Sequence, residues 1–327
     1  MIRWISPILA LVTSLALAQP GQARDKIRLG HNANSARSIG ALPLHILMRQ
    51  ALFAREGLAV ELVGLPGTTH MVDALDTDTV EVTGTATPYL IQAALKGSDA
   101  VAVIGGPANA VYSLIAKPEI ATVAELRGKR VAMSTPADTI SLSTRLLLAK
   151  HGLKDGDYQT KELIGSNARG NCLVTGECDA VPLGQPDDIV LVQKGFRKLG
   201  DSLDVLPVQQ FNVLAARRAW AAAHKDTVAR LARAYGAAFR FLRDPVNHDK
   251  VADLIADTTG APVEVARQIL ALYYQPDRGV MPKQAEINMA GMAKVIEMLA
   301  ETGQIGAPPP PAERFVDLQY LQAAGLQ

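Results

Sequence analysis

Small hydroxyl and amide residues follow the ends of five predicted β-strands. Side chains of this kind donate and accept hydrogen bonds, and their small size lets a ligand approach the backbone. The loops that carry them span residues 31–35, 66–69, 85–88, 134–139 and 184–186. Several of these loops lead directly into a predicted helix, where free N–H groups and the positive end of the helix dipole favour an anion. The pattern indicates non-covalent binding of a small polar or anionic molecule.

The same loops also have a purely structural interpretation. Ser, Thr and Asp before a helix are ordinary N-cap residues. Asp138 is the clearest case, because as a cap it would accept hydrogen bonds from the same N–H groups that an anion would use. Ligands of open parallel sheets bind outside the carboxyl ends of the strands, so five such loops favour a binding site more than any one loop does.

Motifs for catalysis and for cofactor binding are missing from the sequence. It contains no G-x-S-x-G, no H-E-x-x-H and no phosphate-binding glycine loop, and its six histidines are scattered. We therefore expect that the protein is not an enzyme and that it needs neither a cofactor nor a metal.

Cys172 and Cys178 are the two cysteines of the chain. The five residues between them exceed the two that a thioredoxin-like site requires, and two cysteines alone make a poor metal site. In an oxidising compartment a lone pair commonly forms a disulfide. A disulfide, two buried thiols and a redox pair all stay open, because the sequence does not give the distance between the two Cα atoms.

The first 23 residues have the pattern of a cleaved secretory signal. Arg3 precedes an uncharged and mostly apolar run, residues 5–18, and small residues place the cleavage after Ala18 or Ala23. The run is shorter than the roughly 20 apolar residues that a membrane-spanning helix needs, and it contains Pro7. We expect residues 1–23 to be a signal peptide that directs export.

The exported chain is close to electrically neutral. The whole sequence has a formal net charge of +1, and Arg3 is the only charge in the first 23 residues, so cleavage leaves a net charge of zero. A neutral chain gives no electrostatic reason to expect binding to nucleic acid or to an anionic membrane. The roughly 300 residues that remain correspond to two ordinary domains.

Predicted strands and helices alternate along most of the chain, which is typical of an α/β fold with a largely parallel sheet. The predicted strands span residues 26–30, 58–63, 80–84, 100–104, 112–116, 130–133, 158–163 and 179–183. The predicted helices span residues 42–55, 67–75, 89–96, 139–151, 167–175, 219–242, 250–258, 263–272, 288–301 and 317–324, with one helical turn at 123–126.

A weak internal repeat divides the alternating part of the chain. In the first half Gly57 is followed by strand, helix, strand and Pro88, and in the second half Gly152 is followed by the same series and Pro186. The repeat predicts two similar α/β lobes.

Four segments resemble the nitrate/sulfonate/taurine-type substrate-binding proteins of ABC importers, which share the fold of yeast thiamine-pyrimidine synthases. The segments are VEVTGTATPYLIQAALKG at 80–97, TVAELRGKRVAMSTPADTISLSTRLLLAKHGL at 122–153, CLVTGECDAVPLGQP at 172–186, and the tail at 300–321 with its Gly-x-Ile and final Asp-Leu-x-Tyr-Leu. Together they span nearly the whole exported chain.

The resemblance implies a type II periplasmic-binding fold, in which two α/β lobes close on a ligand in the cleft between them. Lobe 1 would comprise residues 24–112 and 209–327, and lobe 2 would comprise residues 113–208. The chain would cross between the lobes near Tyr112 and again near residues 209–210, and these crossings would act as the hinge.

The resemblance also implies ligand contacts from both lobes. The positions that match are Thr85 and Thr87 in lobe 1, Thr135, Asp138 and Thr139 in lobe 2, and Asn34 and Ser35 in the variable first loop. The chain departs from the family before Pro186, where the family often has an aromatic and an acidic residue and this sequence has Gly184 and Gln185. Gln185 offers an amide to a carboxylate or an amide of the ligand, and the change argues against a familiar substrate such as taurine.

The function that these features predict is that of a periplasmic receptor that captures a small polar or anionic solute for an ABC importer. Its partners would be the ligand, the permease and the ATPase, and a monomer is expected. Two alternatives stay open: a fold-related biosynthetic enzyme that acts on a pyrimidine or similar substrate, and a module that reports ligand binding to a signalling receptor.

Overall fold

The computed structural model describes residues 24–33, 36, 38–67, 69–274 and 279–326. The predicted signal peptide, residues 1–23, lies outside the described residues. Among the helices that are described, none combines the length and the apolar character needed to cross a bilayer.

The described residues form ten β-strands. They are β1 (Asp25–Asn32), β2 (Leu58–Leu65), β3 (Val82–Ala86), β4 (Ala100–Gly105), β5 (Ser113–Ala116), β6 (Arg130–Met133), β7 (Gln159–Glu162), β8 (Ala180–Leu183), β9 (Arg197–Asp201) and β10 (Asn212–Arg217).

Thirteen α-helices connect or cover the strands within the described residues. They are α1 (Leu42–Arg49), α2 (Leu52–Arg55), α3 (His70–Asp76), α4 (Thr87–Leu95), α5 (Thr139–Lys150), α6 (Ser166–Val174), α7 (Asp187–Gln193), α8 (Arg218–Ala223), α9 (Lys225–Arg243), α10 (His248–Thr259), α11 (Val263–Tyr273), α12 (Met289–Glu301) and α13 (Gln319–Ala323). Short 3₁₀ helices lie at Ile39–Ala41, Val123–Leu126, Ser202–Asp204, Pro245–Asn247 and Ala312–Phe315.

The strands form two five-stranded sheets with the same topology. The first sheet has the order β2-β1-β3-β10-β4, and the second has the order β7-β6-β8-β5-β9. In each sheet four strands run in one direction and one strand, β10 or β5, runs antiparallel to both of its neighbours. The antiparallel strand is in each case the first strand after the chain has crossed from the other sheet. The fold is therefore mixed α/β with two α/β units, as in type II periplasmic-binding proteins.

The two crossing segments run side by side. The first joins β4 to β5 and the second joins β9 to β10, and backbone hydrogen bonds link them, with Phe211 N donating to Ala108 O at 2.7 Å and Ser202 N donating to Tyr112 O at 2.8 Å. The rings of Tyr112 and Phe211 pack edge to face, with centroids 6.4 Å apart. The lobe boundaries at residues 112 and 209 stay a prediction.

Successive side chains along a strand of the second sheet point to opposite faces, and both faces are buried. Val131 and Met133 of β6 belong to one apolar cluster, whereas Ala132 between them belongs to the cluster on the opposite face. Such burial on both faces is characteristic of sheets covered by helices. The larger core of the first sheet also includes Leu142 of α5 and Leu206, so the two units share apolar packing.

The structure differs from the predicted elements at several places. The helix predicted over 42–55 is two helices, because Ala51 adopts a left-handed conformation with φ 51° between α1 and α2. The helix predicted over 219–242 is likewise interrupted at His224. The elements α7, β9 and β10 were not predicted from the sequence.

Cys172 and Cys178 form a disulfide in the structure, with their Cα atoms 5.2 Å apart. Cys172 lies near the end of α6 and Cys178 lies just before β8, so the bond closes the turn that joins these two elements.

Candidate ligand-binding site

The loop after β6 leads into α5 through an N-cap. Asp138 Oδ1 accepts a hydrogen bond from Ile140 N at 2.9 Å, and Ser134 Oγ donates to the other carboxylate oxygen at 2.8 Å. Burial raises the pKa of the Asp138 carboxyl, and these two hydrogen bonds oppose that rise. Asp138 therefore serves as the structural cap of α5, which is the alternative that its sequence position left open.

Thr139 is the first residue of α5 and is 2% exposed. Its hydroxyl has no hydrogen-bond partner within the described part of the chain, and neither does that of Ser141 one residue further on. Buried polar atoms are nearly always hydrogen-bonded in folded proteins. A ligand with an acceptor or donor at this helix start would satisfy the Thr139 hydroxyl.

The start of α4 repeats this arrangement in the first sheet. Thr85 is buried in β3, and among the described residues its hydroxyl makes a single long contact, of 3.5 Å, with Ala86 O. Thr87 is the first residue of α4 and is fully buried, with its backbone N donating to Phe211 O at 3.0 Å. Its hydroxyl has no partner among the residues described.

A hydrogen bond joins the two helix starts. Tyr89, in the first turn of α4, places its Oη 3.0 Å from Thr135 Oγ1, which lies in the loop after β6. Tyr89 belongs to the unit of the first sheet and Thr135 to the unit of the second sheet. The two threonine-containing helix starts, Thr85–Thr87 and Thr135–Thr139, are therefore neighbours across the boundary between the units.

Gln185 takes part in a second connection across this boundary. Its Nε2 donates to Asp188 Oδ2 at 2.7 Å, and its Oε1 accepts a hydrogen bond from Tyr273 Oη at 2.9 Å. Burial raises the pKa of Asp188 and places that of Tyr273 well above its usual value. Both the nitrogen and the oxygen of the Gln185 amide therefore have protein partners, and the residue connects the loop after β8 to α11.

Two further buried polar residues, Gln209 and Arg169, were not predicted from the sequence. Gln209, in the second crossing segment, is fully buried, and neither amide atom has a hydrogen-bond partner in the described residues. Arg169 of α6 is 1% exposed and donates to the carbonyls of Leu163 and Pro182, at the carboxyl ends of β7 and β8. An arginine at the start of a helix that follows a strand is the sequence signal that would have identified the second of them.

The remaining predicted site residues, Asn34 and Ser35, lie outside the described residues. Within the described part of the chain, no group of three or more His, Cys, Asp or Glu residues is arranged to hold a metal ion. Chemically, the structure offers buried hydroxyls at two helix N-termini, a buried guanidinium at the carboxyl ends of β7 and β8, and a buried amide in the second crossing segment. Groups of these kinds suit a small polar ligand.

Several solved structures share this fold. The periplasmic aliphatic sulphonate-binding protein SsuA from Escherichia coli matches with a TM-score of 0.71 and 20% identity, over 90% of this chain and 92% of that chain. The periplasmic nitrate-binding protein NrtA from Synechocystis matches with a TM-score of 0.72 and 15% identity, over 92% of this chain and 88% of that chain.

A ligand-binding component of an ABC-type import system from Staphylococcus aureus also matches, with a TM-score of 0.75 and 16% identity, over 93% of this chain and all of that chain. At these identities the likeness establishes the type II periplasmic-binding fold.

No curated protein sequence matches the chain. A sequence family does match, over residues 47–248, which is more than half of the chain. The protein therefore belongs to the NMT1/THI5-like family.

Proposed function

We propose that this protein is a periplasmic solute-binding receptor of an ABC importer. The observation that carries the proposal is the pair of helix starts at Thr87 and Thr139. They come from different sheets, they are held together by the hydrogen bond between Tyr89 and Thr135, and both have a buried hydroxyl without a partner among the described residues. A solute held between them would contact both units at once.

Binding in this proposal is coupled to closure of two lobes. Lobe 1 comprises residues 24–112 and 209–327, lobe 2 comprises residues 113–208, and the two adjacent crossing segments form the hinge. A solute that contacts both lobes binds the closed form more tightly than the open form, and it shifts the population accordingly. The importer would recognise the closed form.

The solute class follows from the chemistry of the site. Helix N-termini, threonine hydroxyls and a buried guanidinium favour a small polar or anionic organic molecule, such as a sulfonate or a carboxylate. The fold neighbours named for sulphonate and nitrate binding support this class. The cognate permease and ATPase are the protein partners, the receptor is a monomer, and residues 1–23 are the signal peptide that exports it.

Two alternative functions, an enzyme and a sensory module, predict different results from those of a receptor. A fold-related enzyme would convert its substrate, whereas a receptor would release it unchanged. A sensory module would bind a solute in the same way, and its partner would be a signalling receptor instead of a permease.

A thermal-shift screen of the mature protein tests the proposal. The compounds are sulfonates, carboxylates, pyrimidines and inorganic anions, and a ligand that binds only the native state raises the unfolding midpoint by mass action. We expect one chemical class to raise it, binding in calorimetry with one solute per chain, and recovery of the solute unchanged by mass spectrometry. Conversion of the solute would contradict the receptor and support the enzyme. A mature protein, shown to be ligand-free by mass spectrometry, that responds to no compound would contradict solute binding of this class.

A further inference from the structure

Arg169 is the most deeply buried arginine of the described chain and lies at the edge of the second sheet that faces the crossing segments. Its Nε donates to Pro182 O in β8 at 2.8 Å, and its Nη1 donates to Leu163 O just after β7 at 3.1 Å. Both carbonyls stand at the carboxyl ends of parallel strands, which is the edge where α5 begins. The guanidinium therefore lies on the same edge as Thr139.

Some of the N–H donors of the guanidinium have no acceptor among the described residues. Arginine has five N–H donors, and in the described residues three of them have acceptors, the third being a weak contact of 3.5 Å between Nη2 and Ser166 Oγ. Two N–H groups remain, one on each terminal nitrogen. Such a pair matches the two oxygens of a carboxylate or a sulfonate.

No counter-ion inside the described part of the protein contacts this charge. No carboxylate oxygen of the described residues lies within 4.0 Å of the guanidinium, although Asp138 and Asp187 act on it electrostatically from further away. The oxygens of Asp138 already accept hydrogen bonds from Ile140 and Ser134. Burial raises the pKa of both carboxyls, which makes them poor counter-ions for a buried cation. A buried charge without a direct partner is costly, and an anion bound beside it would remove that cost.

The guanidinium is also connected to the other helix start. Tyr112 interacts electrostatically with Arg169 and packs edge to face on Phe211, and the Phe211 carbonyl accepts the hydrogen bond from Thr87 N. Through Tyr112 and Phe211, Arg169 is thus linked to the start of α4.

We propose that Arg169 selects solutes that carry a negative charge. The solute has one carboxylate or sulfonate group, and this group binds the two remaining N–H groups of Arg169. This inference rests on the proposed receptor function and adds to it the charged group of the solute and the residue that selects it.

The experiment uses pairs of compounds that have the same shape and differ in charge. The probes are butanoate with butanamide, benzoate with benzamide, and butane-1-sulfonate with butane-1-sulfonamide, added to the mature protein in calorimetry and in thermal unfolding. We expect the anion of at least one pair to bind, and its neutral partner to bind at least about tenfold more weakly, as a lost hydrogen bond to a charged group predicts.

Arg169→Gln should remove this preference, with the anion binding at least about tenfold more weakly and the amide unchanged. Arg197→Gln is the matched control, because Arg197 lies in β9 of the same sheet, is exposed and likewise donates to a backbone carbonyl, that of Pro118. If Arg169→Gln does not fold by circular dichroism, Arg169→Lys replaces it, and the loss of the planar fork should still weaken the anion about tenfold.

The possible results separate this inference from the proposed function. A variant that weakens the anion and the amide equally would mean that Arg169 only supports the fold, and the inference would be wrong. Tighter binding of a neutral probe would also overturn the inference but would leave the receptor function in place. Failure of every probe and of the screening compounds above would overturn both.

Discussion

At the scale of residues, the proposed site depends on the buried hydroxyls of Thr87 and Thr139, which have no hydrogen-bond partner among the described residues. A hydroxyl that bonds only to ligand contributes to affinity and not to the stability of the free protein. This is testable, because valine has nearly the shape of threonine and lacks the hydroxyl.

Replacing Thr87 and Thr139 with Val should weaken solute binding roughly tenfold, since each lost hydrogen bond is worth about 0.5–1.5 kcal/mol. The unfolding midpoint of the free protein should stay the same or rise, because these hydroxyls make no hydrogen bond to the described residues that the substitutions would remove. Calorimetry with the solute identified by the screen measures the first effect, and calorimetric unfolding measures the second.

Thr144→Val is the matched control in the same helix as Thr139. The Thr144 hydroxyl already donates to Ile140 O at 2.7 Å, so its removal should lower stability and leave solute affinity unchanged. Equal solute affinity in the Thr87/Thr139 double variant and in the wild type would contradict the site assignment.

The sequence alone predicted part of this site. Threonine at the helix starts follows from the strand-end loops, but whether a hydroxyl has a partner depends on which residues from other elements lie nearby. Gln185 shows the limit of prediction from sequence, because its amide forms a hydrogen bond with Tyr273, which is 88 positions away in sequence. Arg169 could have been singled out by its place at the start of a helix that follows a strand. Its burial without a paired carboxylate among the described residues, however, depends on how the sheet packs.

At the scale of elements, the carboxylate of Asp179 ties the starts of β6 and β8 together. It accepts hydrogen bonds from Arg130 and from Lys117 Nζ, and these hold the pKa of Asp179 well below its usual value. A carboxyl whose pKa is lower in the folded state contributes stability above its unfolded pKa of about 4, and this stability is lost as pH falls through the folded pKa.

Asp179→Asn should therefore lower the free energy of unfolding by roughly 2 kcal/mol at pH 7, and the difference from wild type should shrink as the pH falls below about 4. Urea unfolding at pH 7 and pH 3 measures both values. Glu177→Gln is the control, because Glu177 pairs with Lys161 on the exposed surface and should contribute much less. A pH-independent difference between Asp179→Asn and wild type would contradict the assigned role of the carboxylate.

Most helices and strands in the first two-thirds of the chain were predictable from the sequence. Gly and Pro mark where they end, and the spacing of the apolar residues distinguishes helix from strand. The exceptions have physical reasons. Strand β9 is short, polar and largely exposed, so it has no apolar alternation to recognise. Strand β10 is rich in alanine and precedes an alanine-rich helix, so its sequence does not mark where the strand ends and the helix begins.

At the scale of the whole molecule, two hydrogen bonds that involve tyrosine hydroxyls join the units. Tyr89 bonds to Thr135 and Tyr273 bonds to Gln185, and each pair joins one unit to the other. The sequence predicted two lobes from the internal repeat and the family resemblance, but it did not indicate these contacts between them.

Removing both phenolic hydroxyls, in Tyr89→Phe with Tyr273→Phe, should shift the free protein toward an open form, because the lost bonds exist only when the units touch. Small-angle X-ray scattering should show a larger radius of gyration without solute and a return toward the wild-type value with it. Tyr158→Phe is the control, since Tyr158 bonds to Asp155 within one unit and its loss should leave the radius unchanged. A double variant with an unchanged radius would contradict the role of these bonds in closure.

One solute is proposed to contact both units at the starts of α4 and α5. A crystal structure of the mature protein with the solute identified by the screen is the direct test. The bound solute should contact Thr87 from one unit and Thr139 from the other, and it should lie next to the two crossing segments. A solute bound to one unit alone, or at a surface away from these helix starts, would contradict this proposal.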